Sequence, residues 1–436
     1  MLQTIRNAWK IDDIRKKLLF MAFIVLIYRL GNAVTVPYVD TAALELHFQA
    51  LSGTVLGFLN TMSGSALERA SIFALSIQPY INASIIMQLL TIAIPALERM
   101  RKEGGEEGKK KIEKITRYST VGIAALQGFA YYTLISRGDP AMGGASMLIP
   151  GAEGIWPTAI VIIVTFMVGS ALLMWMGEQI TEFGIGNGIS IILFVSIVAR
   201  FPIELWQMAN GVIHTPSNWW IYALMLLGAL AIIVLIVIVQ NSERRIPVQY
   251  SKRVVGRKMY GGQSTHLPMK VNMSGVLPVI FAQSIATIPA TIVVFVPRWS
   301  DTWLMRALDM TSIPYMVLYF LLIVFFSYFY STVQFNPVEV ANNLKKNGGF
   351  IPGFRAGKPT SDFIQKVLTK ITLFGAIYLA IVAITPIIVS AVSETARATG
   401  IAMGGTSIII VVSVALETIK QLESQMLMRH YKGFLE

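Results

Sequence analysis

Ten apolar segments follow one another along the chain, and each is close to the ~20 residues that a helix needs to cross a bilayer. This pattern constrains the fold strongly, because in lipid the backbone must satisfy its own hydrogen bonds. The chain is 54% hydrophobic and 14% charged, whereas soluble domains are roughly 25% charged. The sequence therefore predicts an all-α membrane protein with spans near residues 18–36, 72–95, 118–136, 155–176, 186–203, 219–240, 274–296, 314–334, 371–391 and 401–418.

One stretch of sequence occurs twice. Residues 188–199 (GISIILFVSIVA) and 405–416 (GTSIIIVVSVAL) are identical at six of twelve positions and begin 217 residues apart. Ten spans divide into five and five, and an odd number of spans reverses the direction of the second half. Inverted repeats of this kind place the working site between the halves, near the middle of the membrane. We therefore predict two inverted halves, residues 1–217 with spans one to five and residues 218–436 with spans six to ten.

Positive charge is confined to alternate connections between the spans. Residues 1–17, 98–118, 241–270, 335–370 and 418–436 together carry 29 of the 36 lysines and arginines, including every lysine. Loops that stay in the cytoplasm retain such residues. We therefore expect these connections, and both termini, on the cytoplasmic side of the membrane. The mixed charges from 98 to 114 predict a solvated connection.

The sequence gives no sign of catalytic or cofactor chemistry. It has no cysteine, which excludes disulfides, thiolate metal sites and a cysteine nucleophile. Its four histidines lack a metal-binding spacing, and neither a Gly-x-Ser-x-Gly elbow nor a Gly-x-x-x-x-Gly-Lys phosphate loop occurs. We therefore predict a protein that is not an enzyme and that uses no metal and no cofactor.

Spans two and seven occupy equivalent places in the two halves and are unusually polar. Span two carries Pro79, and span seven carries Pro278 and Pro289, in each case among amide and hydroxyl side chains. Such groups are costly against lipid unless another helix or water satisfies them. Ordinary hydrogen bonding between helices explains any one of these residues. Interruption by proline at matching places in both halves instead favours a functional seam that can open.

The segment before span two, residues 53–70, is too apolar for a solvated loop and too rich in glycine and polar residues to span. We predict a short helix that folds back into a cavity from the outer side, because irregular backbone at membrane depth is tolerated only inside protein or beside water. The alternative is an amphipathic helix on the outer surface.

Charged side chains are scarce within the spans. A coupled transporter usually keeps an ionisable relay at the membrane centre, whereas this chain has aliphatic and amide side chains there. We therefore predict a neutral, apolar constriction, which blocks ions because it does not hold water. A secondary transporter of a small solute remains the alternative, and an intramembrane enzyme is a third class that lacks its usual residue sets.

Four long motifs resemble one family nearly end to end. They are residues 70–86 (ASIFALSIQPYINASII), 177–190 (GEQITEFGIGNGIS), 263–272 (QSTHLPMKVN) and 336–346 (NPVEVANNLKK). In this order and among ten spans, they resemble the SecY family of protein translocase channels. The resemblance implies ten transmembrane helices, arranged as two inverted five-helix halves around a central pore with a re-entrant plug helix. It also implies a protein-conducting channel.

The resemblance further implies three groups of site residues. A pore ring is expected from Ile77, Ile81, Leu193, Ile280 and Ile410. Leucine at position 193, where isoleucine is common in relatives, conserves volume and should still seal the ring. A plug is expected within residues 53–71, from Gly53, Phe58, Asn60, Ser63, Gly64 and Arg69. A lateral gate between spans two and seven is expected from Gln78, Asn82, Gln88, Gln283, Ser284 and Ile288.

Two long basic cytoplasmic loops complete the expectations. The positive-inside rule alone accounts for basic loops, but the resemblance implies a docking surface for the SecA motor and the ribosome, whose rRNA phosphates attract cations. Its residues are Arg244, Arg245, Arg253, Arg257, Lys258, Lys345, Lys346 and Arg355. The resemblance also implies SecE and SecG subunits, signal peptides, nascent chains and membrane lipid as partners, and the bacterial plasma membrane as location.

Overall fold

The computed structural model is mostly helical and describes residues 6–50, 55–138, 146–152, 156–214, 219–250, 253–255, 258–260, 264–289, 302–303, 307–308, 312–392 and 404–432. The helices of the first half are α1 Asp12–Ala33, α2 Thr41–Ala50, α3 Val55–Ser63, α4 Gln78–Ala93, α5 Pro95–Glu103, α6 Gly105–Arg137, α7 Trp156–Phe183, α8 Gly188–Val198 and α9 Phe201–His214. Those of the second half are α10 Trp219–Asn241, α11 Leu277–Ala286, α12 Ile313–Gln334, α13 Pro337–Lys346, α14 Lys358–Val392 and α15 Gly404–Lys432.

Each of the ten predicted spans contains a helix. Spans one to five correspond to α1, α4, α6, α7 and α8, and spans six to ten to α10, α11, α12, α14 and α15. Within the described residues, five helical stretches are long and apolar enough to cross a membrane by themselves, and α4 with α5 forms a sixth, sharply bent pair. Of the helices in the remaining spans, α11 is short and α1, α6 and α15 carry charged residues along part of their length.

Pro79 and Pro278 each begin a helix, and Pro289 lies just beyond the turn at Thr287 that ends α11, so regular helix is interrupted beside prolines in both spans. Pro79 and Pro278 lie in the first turns of α4 and α11, where a missing N–H costs nothing. Residues 64–77 form turns and one bridge before α4. The helical part of span two is therefore shorter than predicted, and irregular backbone replaces its first part.

The connection after span two is helical, and most of its described residues between 98 and 114 are exposed, in agreement with the predicted solvated connection. Helix α5 is bent by 102° from α4, and α6 continues through the basic stretch into span three. The two helices approach closely at Gly108, where a Cβ atom would lie 1.9 Å from the Met100 carbonyl oxygen. Glycine is therefore required at this position.

The two repeat copies form helices α8 and α15, which pack against each other. Their equivalent residues Leu193 and Ile410 are both buried in the same central hydrophobic cluster. Their equivalent serines both bond to the first span of their own half: Ser196 Oγ lies 2.6 Å from the Tyr28 hydroxyl, and Ser413 Oγ accepts from Gln240 Nε2 at 2.9 Å. The two copies of the repeat therefore make equivalent contacts as well as having similar sequences.

A small antiparallel sheet joins the two long basic loops. Strand β1 (Glu243–Tyr250) pairs with β4 (Ser264–Lys270) of its own loop and with β5 (Gly349–Phe350) of the other, and β2 (Arg253–Val255) pairs with β3 (Lys258–Tyr260). Ile246 and Val248 alternate with exposed residues and pack against the start of α14. The sequence patterns did not predict these strands.

Candidate pore, plug and lateral gate

The five predicted ring residues are all buried, and all belong to one large hydrophobic cluster that extends through both halves. Each is at most 6% exposed, and they belong to spans two, five, seven and ten, so both halves contribute. The cluster contains Ile77, Ile81, Leu193, Ile280 and Ile410. Their side chains carry only carbon and hydrogen, so this region offers no ligand to an ion or to a polar backbone.

Local structure explains how span two supplies two of these residues. Ile77 is the residue immediately before α4, and Ile81 lies one turn later, with its N–H bonded to the Ile77 carbonyl oxygen at 3.1 Å. Residues four apart lie on the same helical face. The pair therefore faces the centre together, and the start of α4 fixes its position.

The predicted plug contains a short helix, α3, which we call the plug helix (residues 55–63). Asn60 closes the turn behind it, since its Nδ2 donates to Glu68 Oε2 at 2.7 Å and its Oδ1 accepts from the Glu68 N–H at 3.1 Å. Ser63 Oγ donates to the Asn60 carbonyl oxygen and accepts from the Leu67 N–H. Asn60 and Ser63 are thus buried and hold the segment's own shape.

The plug helix packs against the central cluster and against spans one and five. Met62 is buried within the same cluster as the ring residues. The Tyr28 hydroxyl lies 2.6 Å from Ser196 Oγ and 3.4 Å from the Ser63 carbonyl oxygen. Because Ser196 Oγ donates to the Ile192 carbonyl oxygen, the single Tyr28 hydroxyl proton has two acceptors within reach, Ser196 Oγ and the Ser63 carbonyl oxygen.

Glycine is needed where the plug segment leaves its helix. Gly64 has a φ of +67°, and a Cβ atom there would lie 2.7 Å from the Ser196 carbonyl oxygen. A larger side chain would push the segment away from span five. Of the other predicted plug residues, Arg69 is exposed, whereas Gly53 and the side chain of Phe58 lie outside the described part of the chain.

Spans two and seven meet at the predicted lateral gate, where one weak polar contact joins their described residues. Gln78 Nε2 donates to Ser284 Oγ at 3.4 Å. Beside this contact is a cavity of about 10 Å³, barely enough for one water molecule. Residues of the gate, the ring and the plug all line it, namely Met62, Gln78, Val279, Ile280, Gln283, Ser284, Thr406 and Ile410.

The remaining gate residues do not contribute further bonds between the two spans. Both side-chain amide atoms of the buried Gln283 and the Oδ1 atom of Asn82 have no hydrogen-bond partner among the described residues. Gln88 donates to Ser84 of its own helix at 3.4 Å, and Ile288 is half exposed. A buried polar group without a partner costs roughly 1–3 kcal/mol, so the closed seam is held weakly.

The predicted docking residues are distributed over the sheet between the two basic loops and its surroundings. Arg244 and Arg245 are exposed on β1, and Arg245 Nε contacts Glu243 Oε1 at 2.7 Å. Arg253 and Lys258 belong to β2 and β3, while Arg257 lies outside the described residues. Since β5 pairs with β1, the sheet links this loop to the loop that carries Lys345, Lys346 and Arg355.

Arg355 is exposed beside a sharp turn of the second loop. Gly353, two residues earlier, has a φ of +87°, a conformation that favours glycine. The Arg355 carbonyl oxygen accepts from Thr360 Oγ1 at 2.8 Å, which ties the turn to the start of α14. The guanidinium is therefore presented from a fixed backbone.

Sequence reasoning missed three parts of this region. Met62 was not among the predicted plug residues, and the contacts of Tyr28 and Ser196 were not foreseen. For Met62, an apolar side chain in an otherwise polar stretch was a usable signal. For Tyr28 and Ser196 the signal was weak, because a hydroxyl within an apolar span is usually bonded to its own helix. Among the described residues, no group of side chains could hold a metal ion.

Comparison with known proteins agrees with this geometry. The family model described as SecY matches residues 71–419. A relative from Streptomyces coelicolor, "Protein translocase subunit SecY", is 44% identical over 443 residues, with both chains covered completely.

Solved structures share the fold at low sequence identity. "The structure of a protein conducting channel" superposes with a TM-score of 0.65 at 17% identity and covers 95% of this chain and 93% of that one. "Sec61 in the Canine ribosome-channel complex from the endoplasmic reticulum" gives a TM-score of 0.61 at 15% identity, with coverage of 95% and 93%. From its sequence motifs, its ten-helix fold and these matches, the chain belongs to the SecY family.

Proposed function

We propose that this protein is the protein-conducting channel of a translocase, which passes unfolded preproteins across the membrane and releases apolar helices sideways between spans two and seven. The observation that carries the proposal is the central cluster, where aliphatic side chains from both halves pack with Met62 of the plug helix. A full-length relative named as a translocase subunit supports it.

The chemistry of the cluster suits a passing polypeptide. An extended chain exposes polar backbone that lipid cannot accommodate, so it needs a path through the protein. Aliphatic side chains offer the polypeptide no hydrogen bonds, so it does not bind tightly. When no polypeptide is present, the same side chains pack together and exclude water and ions. The ring residues Ile77, Ile81, Leu193, Ile280 and Ile410 are proposed to form this seal.

Family membership gives no support to the alternative, a secondary transporter of a small solute. Such a protein would need convergent polar or charged ligands at the membrane centre, and the central cluster is hydrophobic. The proposed activity needs no catalytic group in this chain, so the energy for export is proposed to come from a separate motor.

We further propose where the protein works and what it binds. The proposed location is the bacterial plasma membrane, with both termini in the cytoplasm. The proposed partners are SecE and SecG, the SecA motor, the ribosome, signal peptides, nascent chains and lipid. The exposed arginines of β1 and Arg355 support a cytoplasmic docking surface, and a relative of the same fold was solved bound to a ribosome.

Reconstitution tests the proposed function. Vesicles that contain this chain with SecE and SecG are given SecA, ATP and a preprotein, and protease-protected preprotein is measured. We expect protection that requires the signal sequence, with a preprotein lacking its signal sequence as the control. Absence of protected preprotein, together with uptake of a small solute by the chain alone, would establish the transporter instead.

A cysteine pair tests the proposed gate in the same vesicles. The chain has no cysteine of its own, so Asn82→Cys with Ile288→Cys introduces the only pair. We expect an oxidised cross-link between spans two and seven to block release of apolar helices into lipid, and reduction to restore it. Normal release from the cross-linked protein would remove this seam from the proposal.

A further inference from the structure

Three residues between the plug helix and α4 have a backbone conformation that normally requires glycine. Ser65, Ala70 and Ser76 have φ angles of +68°, +43° and +52°. Among the described residues, only one other residue with a side chain, Tyr38, has a positive φ. This conformation is unfavourable for any residue with a Cβ atom, which comes too close to the next carbonyl oxygen. Strained backbone is therefore concentrated in the connection (residues 65–76) that leads from the plug helix to Ile77.

The hydrogen bonds around Ala70 show why its backbone is left-handed. The Ala70 N–H donates to the Leu67 carbonyl oxygen at 3.0 Å. The Ser71 N–H donates to the Ala66 carbonyl oxygen at 3.0 Å. These two bonds form a Schellman motif, whose left-handed position is usually glycine. Gly64 holds that position in the motif that ends the plug helix, so at position 70 alanine stands where glycine is expected.

Neighbouring parts of the first half hold the strained residues in place. The Ala70 carbonyl oxygen accepts from the N–H of Val36, just beyond span one, at 2.9 Å. The Ser76 carbonyl oxygen accepts from Ser170 Oγ of span four at 3.3 Å. Together with Ser65, these two residues are buried. Strained conformations persist only where the surrounding structure fixes them, so the strain exists only while the connection stays in its observed position.

We propose that Ser65, Ala70 and Ser76 are positioning residues that store backbone strain in the observed conformation and thereby make the plug segment easier to displace. The second part rests on the proposed function. When the plug segment moves away, Val36 and Ser170 no longer hold the connection, and its residues can return to the negative φ values that side chains prefer. The strain thus raises the free energy of the closed state alone, which increases the open population.

Ala70→Gly, with Ala74→Gly as its matched control, separates strain from the loss of a methyl group. Both alanines are buried in the same hydrophobic cluster, and Ala74 does not have a positive φ. Glycine destabilises ordinary backbone through the entropy of the unfolded chain, whereas it relieves strain at a left-handed position. We expect the midpoint of thermal unfolding of the whole chain in detergent to rise in Ala70→Gly and to fall in Ala74→Gly. A fall in both variants would overturn the strain at this position.

Ser76→Gly, with Ser71→Gly as its control, repeats the test at the other end of the connection. Both serines are buried, and neither Oγ atom has a hydrogen-bond partner among the described residues. Only Ser76 has a positive φ. We expect the midpoint to rise in Ser76→Gly and to fall in Ser71→Gly, and a fall in both would remove Ser76 from the proposal.

Resting ion leak and preprotein export in vesicles test the effect on the plug. We expect leak to fall about threefold in Ala70→Gly, because relief of strain exceeds the entropic cost of glycine, and not to fall in Ala74→Gly. The initial rate of export should also fall in Ala70→Gly, because its plug segment is displaced less often. A raised midpoint with unchanged leak and export would overturn the link between strain and the plug. Failure of the natural chain to export any preprotein would instead count against the proposed function, since the thermal midpoints do not depend on it.

Discussion

The two halves of this protein share a helical frame but carry different attachments. In each half, the serine of the repeat bonds to the first span: Ser196 meets Tyr28, and Ser413 meets Gln240. In the first half that contact also reaches the plug segment through the Ser63 carbonyl oxygen. Among the described residues of the second half, no plug segment contacts the Ser413–Gln240 pair, and the distinctive attachment is the sheet between the two basic loops. The difference indicates that the helices common to both halves form the channel. Segments found in one half, the plug segment and the sheet, are proposed to close the channel and to bind its partners.

Of the changes that test this difference between the halves, removing the plug segment should have the largest effect. Deleting residues 53–65 removes Met62 from the central cluster, so only the ring of aliphatic side chains still separates the two sides. We expect resting ion conductance of reconstituted channels to rise by at least tenfold, because a dry constriction conducts once it widens enough to hold water.

The control is Arg69→Ala, which changes an exposed side chain of the same segment and should leave conductance unchanged. Equal conductance in the deletion and in the natural chain would show that the first half carries no plug.

Reversing the charge of Arg355 tests whether the loops of the second half form a docking surface. Arg355→Glu places an acid where the proposed motor surface needs a cation, and like charges at an interface strongly disfavour binding. We expect SecA-driven export to fall by at least tenfold while resting conductance stays the same. The measurement is the initial rate of preprotein protection in vesicles.

Lys358→Glu supplies the matched control for Arg355, since it makes the same charge change at an exposed site three residues away. A similar loss in both variants would mean that only the net charge of the loop matters, and normal export in Arg355→Glu would remove this residue from the docking surface.

Substitutions that break the hydrogen bonds of the two repeat serines, one in each half, test the same difference with a smaller expected effect. Tyr28→Phe removes a hydrogen bond to Ser196 and the contact with the plug segment, a loss of about 1 kcal/mol. We expect the open population, and hence resting leak, to rise about fivefold.

Ser413→Ala breaks the equivalent bond in the second half and should lower thermal stability by a similar free energy without raising leak. Leak that rises equally in both variants would contradict the assignment of plug contacts to the first half alone.

The sequence predicted the membrane-spanning helices better than the irregular start of span two and the sheet, and the reasons are physical. The spans are long apolar runs, the proposed ring residues Ile77 and Ile81 fall within a long motif, and Leu193 and Ile410 occupy matching positions of the internal repeat. The start of α4 at Gln78 was missed because Pro79 disrupts a helix interior but favours a first turn. The sheet was missed because β1 has only two buried side chains, Ile246 and Val248, and its pairing with β5 joins residues about a hundred positions apart.

The smallest expected effect lies at the seam between the halves. Ser284→Ala removes the hydroxyl that accepts from Gln78 at 3.4 Å, a long bond worth at most about 0.5 kcal/mol. We expect gate opening, measured as release of a marginally apolar helix into lipid, to increase up to about twofold. Thr287→Ala is the control, because that buried hydroxyl on span seven donates to the Ser284 carbonyl oxygen within its own span. A similar increase in both variants would mean that the stability of span seven, and not its contact with span two, limits opening.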